Sequence, residues 1–372
     1  MDRNGKFGRR RLLGMVALSL AVAMAAAACG GNKAVTAGSS GNGKQLSGAG
    51  ATFPAPIYQK WFSDFGKANG GVQVNYQAIG SGGGIQQFTA GTVDFGATDS
   101  PMKDDELAAA QQKGGTVIHI PTVVGAIVVT YNLPDVQQPL KMDGQLIGDL
   151  FLGKVKKWND PEIAKQNSGV NLPDLPILTA HRSDGSGTTA NFTQFVGDYN
   201  SEFKDKVGVG KEVKWAGGVG GKGNDGVAAA VKQTKGAVGY VELNYALTNN
   251  LKFADVKNAA GRYVTPSIDS TTAAAADLSA VPADFRAGLV NSKSADAYPI
   301  ATWTFLIVFQ KQKDDAKGKT LTNLLWYVTH DAQSSAKDLS YSPLPSSVIP
   351  KIEDKIKSIT GPNGNALYTG GS

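Results

Sequence analysis

The stretch ILTAHRSDGSGTTANFTQFVGDY, residues 177–199, passes from an apolar run to a helical pattern through a turn rich in glycine and hydroxyl side chains. The pattern predicts a strand that ends at Arg182 and a helix that begins near Thr188. The first turn of a helix leaves backbone N–H groups without partners and carries a partial positive charge, so it favours an anion. Ser186 and Thr188 add hydroxyl groups, and the planar guanidinium of Arg182 suits a tetrahedral oxyanion. We therefore expect an oxyanion-binding turn, with Asp184 bracing the guanidinium; the alternative is an ordinary capped turn.

Strand and helix patterns alternate on both sides of this turn. Apolar or alternating runs predict strands at 72–76, 116–120, 125–130, 177–180, 237–241 and 305–309. Helical patterns lie at 56–67, 104–113, 188–199, 226–233 and 321–329. This alternation favours an α/β fold, and continuous apolar runs are typical of buried parallel strands. We expect mostly parallel sheets, in a chain of 372 residues that suffices for one large core or two domains.

Three other segments place small residues just before a predicted helix. They are GAGATFPAP at 48–56, GSGGG at 80–84 and VDFGATDSP at 93–101. The first offers the hydroxyl of Thr52, and the second surrounds Ser81 with glycines that let the backbone approach a ligand closely. The third places the carboxylate of Asp99 after a strand. Each also has a simpler interpretation, as a helix N-cap or a surface loop.

Composition excludes several classes of site. The only cysteine is Cys29 and there are three histidines, so an intramolecular disulfide and a Cys/His zinc site are excluded, and a metal site built on several histidines is not expected. The formal net charge is +6, but residues 1–28 hold five basic side chains and one acidic one. The remainder carries 32 basic and 30 acidic residues, or +2, which is no argument for nucleic-acid binding.

The first 45 residues resemble an export and anchoring segment. Basic residues up to Arg11 precede an uncharged apolar run at 12–28, as in a secretory signal peptide. The sequence AAAC that ends at Cys29 resembles a bacterial lipobox, which predicts lipidation of that cysteine; plain cleavage with an unmodified cysteine is the alternative. The arginines leave both the Sec and the twin-arginine route open. Residues 29–45 are rich in Gly, Ser and Asn and predict a flexible linker.

Taken in order, the turns make the chain resemble a known family. Together with GGKGNDG at 220–226 and GAVGYVE at 236–242, they closely resemble the phosphate-specific substrate-binding lipoproteins of bacterial ABC importers, from about residue 46 to the C-terminus. The resemblance implies an α/β, two-lobed periplasmic-binding-protein fold of type II, with the ligand in the cleft between the lobes. It places lobe one at 46–124 plus 298–372 and lobe two at 125–297. It also implies a non-catalytic protein without cofactor or metal, a monomer that delivers phosphate to the permease of an importer.

The resemblance also assigns the ligand contacts. The phosphate-binding residues it implies are Ala51, Thr52, Phe53, Ser81, Asp99, Arg182, Ser186, Gly187 and Thr188, with Asp184 in support. The family often has a second serine where this chain has Gly82.

Asp99 explains selectivity in this scheme. A carboxylate repels an anion unless it accepts a proton from it, and phosphate keeps at least one proton at neutral pH whereas sulfate keeps none. A buried mismatch of hydrogen-bonding groups discriminates strongly. We therefore expect Asp99 to accept the phosphate hydroxyl and exclude sulfate, and we expect bound phosphate to close the lobes.

Three other functions remain open on the sequence. One is a receptor for another oxyanion, sulfate or molybdate, against which Asp99 argues. Another is a secreted phosphatase, although Ser81 and Ser186 lack an evident base partner. The last is an adhesin or structural lipoprotein that binds no small anion.

Overall fold

The computed structural model describes residues 43–276, 281–368 and 370. The strands of these residues are β1 Gln45–Gly50, β2 Gln73–Ala78, β3 Phe95–Thr98, β4 Val117–Tyr131, β5 Lys141–Met142, β6 Leu178–Arg182, β7 Val219–Gly221, β8 Ala237–Glu242, β9 Lys252–Phe253, β10 Asp255–Lys257, β11 Tyr263–Val264 and β12 Ala301–Phe309. The helices are α1 Ala55–Ala68, α2 Ser81–Ala90, α3 Asp104–Gly114, α4 Gly144–Phe151, α5 Pro161–Gln166, α6 Gly187–Tyr199, α7 Ser201–Lys206, α8 Gly223–Gln233, α9 Leu243–Thr248, α10 Ile268–Ala275, α11 Asp315–Thr329 and α12 Ile349–Lys357. Short 3₁₀ helices occupy Asp331–Ser335, Lys337–Leu339 and Ser346–Val348.

The main sheet is mixed, so the expectation of mostly parallel sheets is wrong. Its order is β2-β1-β3-β12-β4-β8-β6-β7, with β9 also paired to β4, and a small sheet has the order β11-β10-β5. At the two ends of the main sheet β1, β2 and β3 are parallel, as are β6, β7 and β8. In the centre, β12 is antiparallel to β3 and β4, and β4 is antiparallel to β8. The continuous apolar runs of β4 and β12 indicate that both faces of these strands are buried. Such runs do not indicate whether a strand is parallel or antiparallel to its neighbours.

Strand β4 joins the two parallel regions. The runs predicted at 116–120 and 125–130 form this one strand, because Pro121 stays in the ladder opposite Phe305 and the register shifts beside it, leaving Thr122 as an extra residue. Proline is tolerated at such irregular positions. Residues 117–126 of β4 pair with β12 and residues 127–131 pair with β8, so the strand changes partner after Ala126.

The five predicted helices are present, and four of them begin earlier than predicted; α3 begins at Asp104 as predicted. Helix α2 begins at Ser81, so the glycines after it lie in a helical turn and not in a loop before one. A Cβ on Gly84 would lie 2.4 Å from the Cα of Gly50, which explains why glycine is needed where α2 crosses the end of β1. Strand β1 begins at Gln45, within the predicted linker, and Thr320 Oγ1 donates to the carbonyl of Gly43. The ordered body therefore includes residues that composition alone assigned to the tether.

Candidate functional site

The predicted anion-binding residues follow the carboxyl ends of strands. Thr52 follows β1, Ser81 follows β2, Asp99 follows β3, and Arg182 ends β6. Because β1, β2 and β3 are parallel neighbours, their carboxyl ends share one edge of the sheet. Ligands of open α/β sheets bind at this edge.

Hydrogen bonds join the turn before α6 to this edge. Ser81 Oγ accepts from the N–H of Gly187 at 3.1 Å and from the N–H of Asp99 at 3.2 Å. A Cβ on Gly187 would lie 2.6 Å from Ser81 Oγ and 2.7 Å from Asp99 Cβ. Asn191 Nδ2, one turn into α6, donates to the Asp99 carbonyl at 2.8 Å. The start of α6 therefore packs directly on Ser81 and Asp99.

Asp99 is a buried acid with hydroxyl partners. Its side chain is 1% exposed, Oδ1 accepts from Thr304 Oγ1 at 2.9 Å, and Oδ2 lies 3.4 Å from the Ser81 hydroxyl. Burial raises the pKa of Asp99 from 3.8 to about 7, although the Thr304 hydrogen bond and the charge of Arg182 oppose this shift. A carboxyl with such a pKa exchanges a proton near neutral pH and can accept a hydrogen bond from a protonated anion.

Arg182 is fixed as a planar fork. Its Nε donates to Asp184 Oδ1 at 2.8 Å, and Nη2 donates to Asp184 Oδ2 at 2.5 Å. Nη1 points instead toward Thr188 Oγ1, 3.4 Å away, and the Arg182 side chain is only 1% exposed. The guanidinium lowers the pKa of Asp184, although burial opposes this. Asp184 therefore orients the guanidinium as the sequence predicts, and one edge faces the start of α6.

Thr52 belongs to the same cluster. Its Oγ1 accepts from the N–H of Asn224 at 3.2 Å and from Asn224 Nδ2 at 2.9 Å. The neighbouring Gly223 N–H donates to Asp184 Oδ1 at 3.0 Å, so the start of α8 touches both Thr52 and the arginine–aspartate pair. All four predicted turns therefore meet in one place.

The hydroxyl groups are oriented as donors. Ser186 Oγ accepts from the N–H of Thr189 at 3.0 Å, and Thr188 Oγ1 accepts from Arg182, as Thr52 Oγ1 accepts from Asn224. A hydroxyl has one hydrogen and can accept with its lone pairs. In the described chain none of these three hydroxyls donates to a protein acceptor, so their hydrogens are available to a ligand.

Backbone donors complete the set. In the part of the chain that the structure describes, no protein acceptor binds the backbone N–H groups of Thr52, Phe53, Ser81 and Thr188. Ala51 differs from the prediction, because its N–H donates to the carbonyl of Ala97 at 3.0 Å and its carbonyl accepts from Tyr76 Oη. Ala51 therefore supports the turn and supplies no free donor.

Sequence reasoning missed several residues that hold the site. Thr304 donates to Asp99, but the predicted strand began one residue later, at Phe305. Asn224 lies in the motif GGKGNDG, which supported the family resemblance but was given no role in the site. Asn191 lies in the interior of a predicted helix. A polar residue within an otherwise apolar strand, as at Thr302 and Thr304, is the signal that was available, since buried hydroxyls need partners.

Some predictions concern residues without a structural description. The predicted signal segment 1–28 and the predicted lipidation site, Cys29, lie outside the described residues. Among the residues that are described, no helix is long and apolar enough to cross a membrane. The same residues contain no group of three or more His, Cys, Asp or Glu side chains placed to hold a metal ion.

Comparison with known proteins identifies the class of this fold and site. A family model described as the PBP superfamily domain matches residues 35–332. The structure is similar to that of a high-affinity periplasmic phosphate-binding protein, PfluDING, bound with phosphate: the TM-score is 0.67 at 22% identity, over 84% of this chain and 93% of that one. The sequence-based expectation of an α/β, two-lobed periplasmic-binding-protein fold is thereby confirmed.

Sequence relatives narrow the class to one family. The phosphate-binding protein PstS of Pasteurella multocida is 42% identical over 326 residues, which are 87% of this chain and 93% of the relative. The phosphate-binding protein PstS of Xylella fastidiosa is 42% identical over 311 residues, or 83% of this chain and 84% of the relative. The chain belongs to the PstS family of phosphate-binding proteins.

Proposed function

We propose that the protein binds inorganic phosphate outside the cytoplasmic membrane and delivers it to the permease of an ABC importer. One observation carries this proposal: hydroxyl and backbone donors and one guanidinium lie at the sheet edge that holds the buried carboxyl of Asp99. The names of the sequence relatives, and the phosphate bound in the structural relative, support phosphate as the ligand.

The donors offset the cost of removing an anion from water. An isolated ion in a medium of low dielectric constant loses tens of kcal/mol of solvation on an idealised estimate, so many aligned donors are needed. In this proposal the donors are Thr52, Phe53, Ser81, Arg182, Ser186 and Thr188. Gly187 was also predicted to contact the anion, but its N–H donates to Ser81 Oγ, so its role here is the close packing of the helix start. Hydrogen bonds to charged groups are stronger than those between neutral groups.

Asp99 selects phosphate because it presents an acceptor among donors. Phosphate offers it a hydroxyl hydrogen, whereas sulfate opposes it with a lone pair. A sulfate or molybdate receptor would have to tolerate this mismatch. A secreted phosphatase would need an activated nucleophile. The Ser81 and Ser186 hydroxyls have no histidine among their hydrogen-bond partners in the described chain, which favours binding without catalysis.

The test is a comparison of wild type with Asp99→Asn. Isothermal titration with phosphate and sulfate at about pH 8, where Asp99 is ionised in the wild type, should show strong preference for phosphate. The amide of the variant donates a hydrogen bond, so it should bind sulfate more tightly than wild type does. Unchanged selectivity in the variant ends the Asp99 argument.

The proposal includes a closing motion of two lobes. We place lobe one at 46–124 plus 298–372 and lobe two at 125–297. The partner change of β4 after Ala126 supports a boundary in that region. Contacts such as Gly187 to Ser81 and Lys211 to Glu106 connect residues of the two proposed lobes, so a ligand held between them favours the closed form.

We also propose that the protein is an anchored monomer. Cleavage before Cys29 and lipidation of that cysteine would hold the folded body at the outer face of the membrane through residues 30–42. In cells fed a labelled fatty acid, the wild-type protein should carry label in the membrane fraction. A Cys29→Ala variant that remained labelled and membrane-bound would contradict the anchor.

A further inference from the structure

A second buried acid, Glu242, stands behind the anion site and has no role in the scheme above. It is the last residue of β8, and its side chain is fully buried. Its Oε2 accepts from the N–H of Asn244 at 3.0 Å and lies 3.1 Å from Tyr341 Oη. Its Oε1 is buried and has no hydrogen-bond partner.

The hydrogens available at Tyr341 decide how this contact is made. Tyr341 Oη lies 2.7 Å from the carbonyl oxygen of Phe53 as well as 3.1 Å from Glu242 Oε2. The phenol has one hydrogen, and the carbonyl of Phe53 has none, so the shorter contact takes the phenol hydrogen. The contact with Glu242 is then a hydrogen bond only if the carboxyl group carries a proton and donates it to Tyr341.

The surroundings of Glu242 oppose a negative charge. The titratable groups that face it are Asp99 after β3, Tyr245 on α9 and Tyr341 on the C-terminal segment; these bring no positive charge to it. An ionised carboxylate with one wholly unpartnered buried oxygen is costly, whereas a neutral acid loses much less. Burial raises the pKa of Glu242 well above its ordinary value, which agrees with the lack of a positive charge and of a partner for Oε1.

We infer that Glu242 is a neutral carboxylic acid that donates to Tyr341, so that Tyr341 donates to the Phe53 carbonyl and orients the Thr52–Phe53 turn toward the anion. Glu242 is thus a positioning residue. The inference rests on the proposed function, since it assigns the turn's N–H groups to bound phosphate.

A second contact of Glu242 supports the same role. Its backbone N–H donates to Asn224 Oδ1 at 2.9 Å, and this fixes the Asn224 amide with Nδ2 directed at Thr52 Oγ1. The end of β8 therefore orients the Thr52 hydroxyl through Asn224 and the Phe53 carbonyl through Tyr341. An ionised Glu242 would break the second path and add a negative charge behind the anion, so neutrality serves both geometry and affinity.

Four variants separate this role from a general loss of packing. Glu242→Gln keeps a neutral donor toward Tyr341, but its amide nitrogen cannot also accept from the Asn244 N–H, so it should bind phosphate more weakly than wild type and more tightly than Glu242→Ala. Glu242→Ala and Tyr341→Phe should each bind about tenfold more weakly than wild type, or about 1.4 kcal/mol. Tyr131→Phe is the matched control, because Tyr131 is also a buried tyrosine and its hydroxyl accepts from the Leu140 N–H away from the site. It should bind phosphate as wild type does.

Infrared spectroscopy reports the protonation state directly. The difference between wild type and Glu242→Gln at neutral pH should contain the carbonyl stretching band of a protonated carboxylic acid, with and without phosphate. The ratio of wild-type to Glu242→Gln affinity should also stay constant from about pH 6 to about pH 8, because neither side chain changes charge there. Absence of the band, a ratio that changes tenfold, or full affinity in Tyr341→Phe overturns the inference. Failure of the wild type to bind phosphate would instead refute the proposed function, and the band would remain measurable.

Discussion

Asp99 should destabilise the protein when the site holds no anion. Its folded-state pKa is about 7, against an ordinary value of 3.8, and the main cause is burial. Above both values the folded protein must keep a carboxylate that the unfolded chain would expose to water. A shift of about 3 pKa units, at about 1.4 kcal/mol per unit, gives about 4 kcal/mol as an order of magnitude.

The sign of the pH dependence follows from the same shift. Between about pH 4 and about pH 7 the folded state holds more protons at Asp99 than the unfolded state does, so this residue's contribution to the free energy of unfolding falls as pH rises. Above about pH 7 the loss is complete. Asparagine does not titrate, so Asp99→Asn should gain up to about 4 kcal/mol over wild type between about pH 4 and about pH 8.

Urea denaturation of phosphate-free protein measures this difference. The free energy of unfolding of wild type and of Asp99→Asn is measured by urea titration at about pH 4 and at about pH 8. The buffers contain no oxyanions. Asp205→Asn, which changes an exposed aspartate on α7, is the control and should follow wild type at both pH values. If the stability difference between wild type and Asp99→Asn is the same at both pH values, the burial argument for Asp99 is refuted.

Three further outcomes follow from the same geometry, and titration calorimetry measures each. Gly187→Ala should weaken phosphate binding about tenfold or more, because the new Cβ would lie 2.6 Å from Ser81 Oγ, and overpacking costs about 1–3 kcal/mol; an unchanged affinity would contradict the packing of α6 on Ser81. Lys211→Met removes an ion pair with Glu106 at 2.7 Å and should weaken phosphate binding about fivefold, or about 1 kcal/mol, with less dependence on salt; equal affinities at low salt would exclude a role in closure. Wild-type sulfate affinity should fall about tenfold per pH unit above about pH 7, as Asp99 loses the proton it would donate, and Asp99→Asn should show no such slope.

The sequence predicted the turns of the site because their signals are local. Glycines, hydroxyl side chains and a strand–turn–helix pattern lie within a few residues at Arg182–Thr188, and the structure places these residues as a capped helix start. The prediction that Asp184 braces Arg182 also needed only two residues of separation. Signals within a few residues of one another were therefore enough to predict most residues of the candidate site.

The remaining features depend on contacts that are distant in sequence. A proline such as Pro121 locally predicts the end of a strand. Strand β4 continues through it because β12 pairs with β4 throughout that region. The glycines of helix α2 disfavour a helix locally. Glycine is nevertheless required at position 84, because a Cβ there would clash with the backbone of Gly50. Thr304 and Glu242 reach the site from strands that are far along the chain, and no local pattern marks such pairs.

The preference of the unliganded protein for a protonated anion is the property on which the proposed function depends most. Purified protein is unfolded and refolded to remove endogenous ligand, then titrated in a calorimeter with phosphate and, separately, with sulfate at about pH 8, above the pKa of Asp99. Phosphate should give saturable heat at one site, and sulfate should bind at least about tenfold more weakly. Equal binding of the two anions, or no binding of phosphate, would contradict the proposed function.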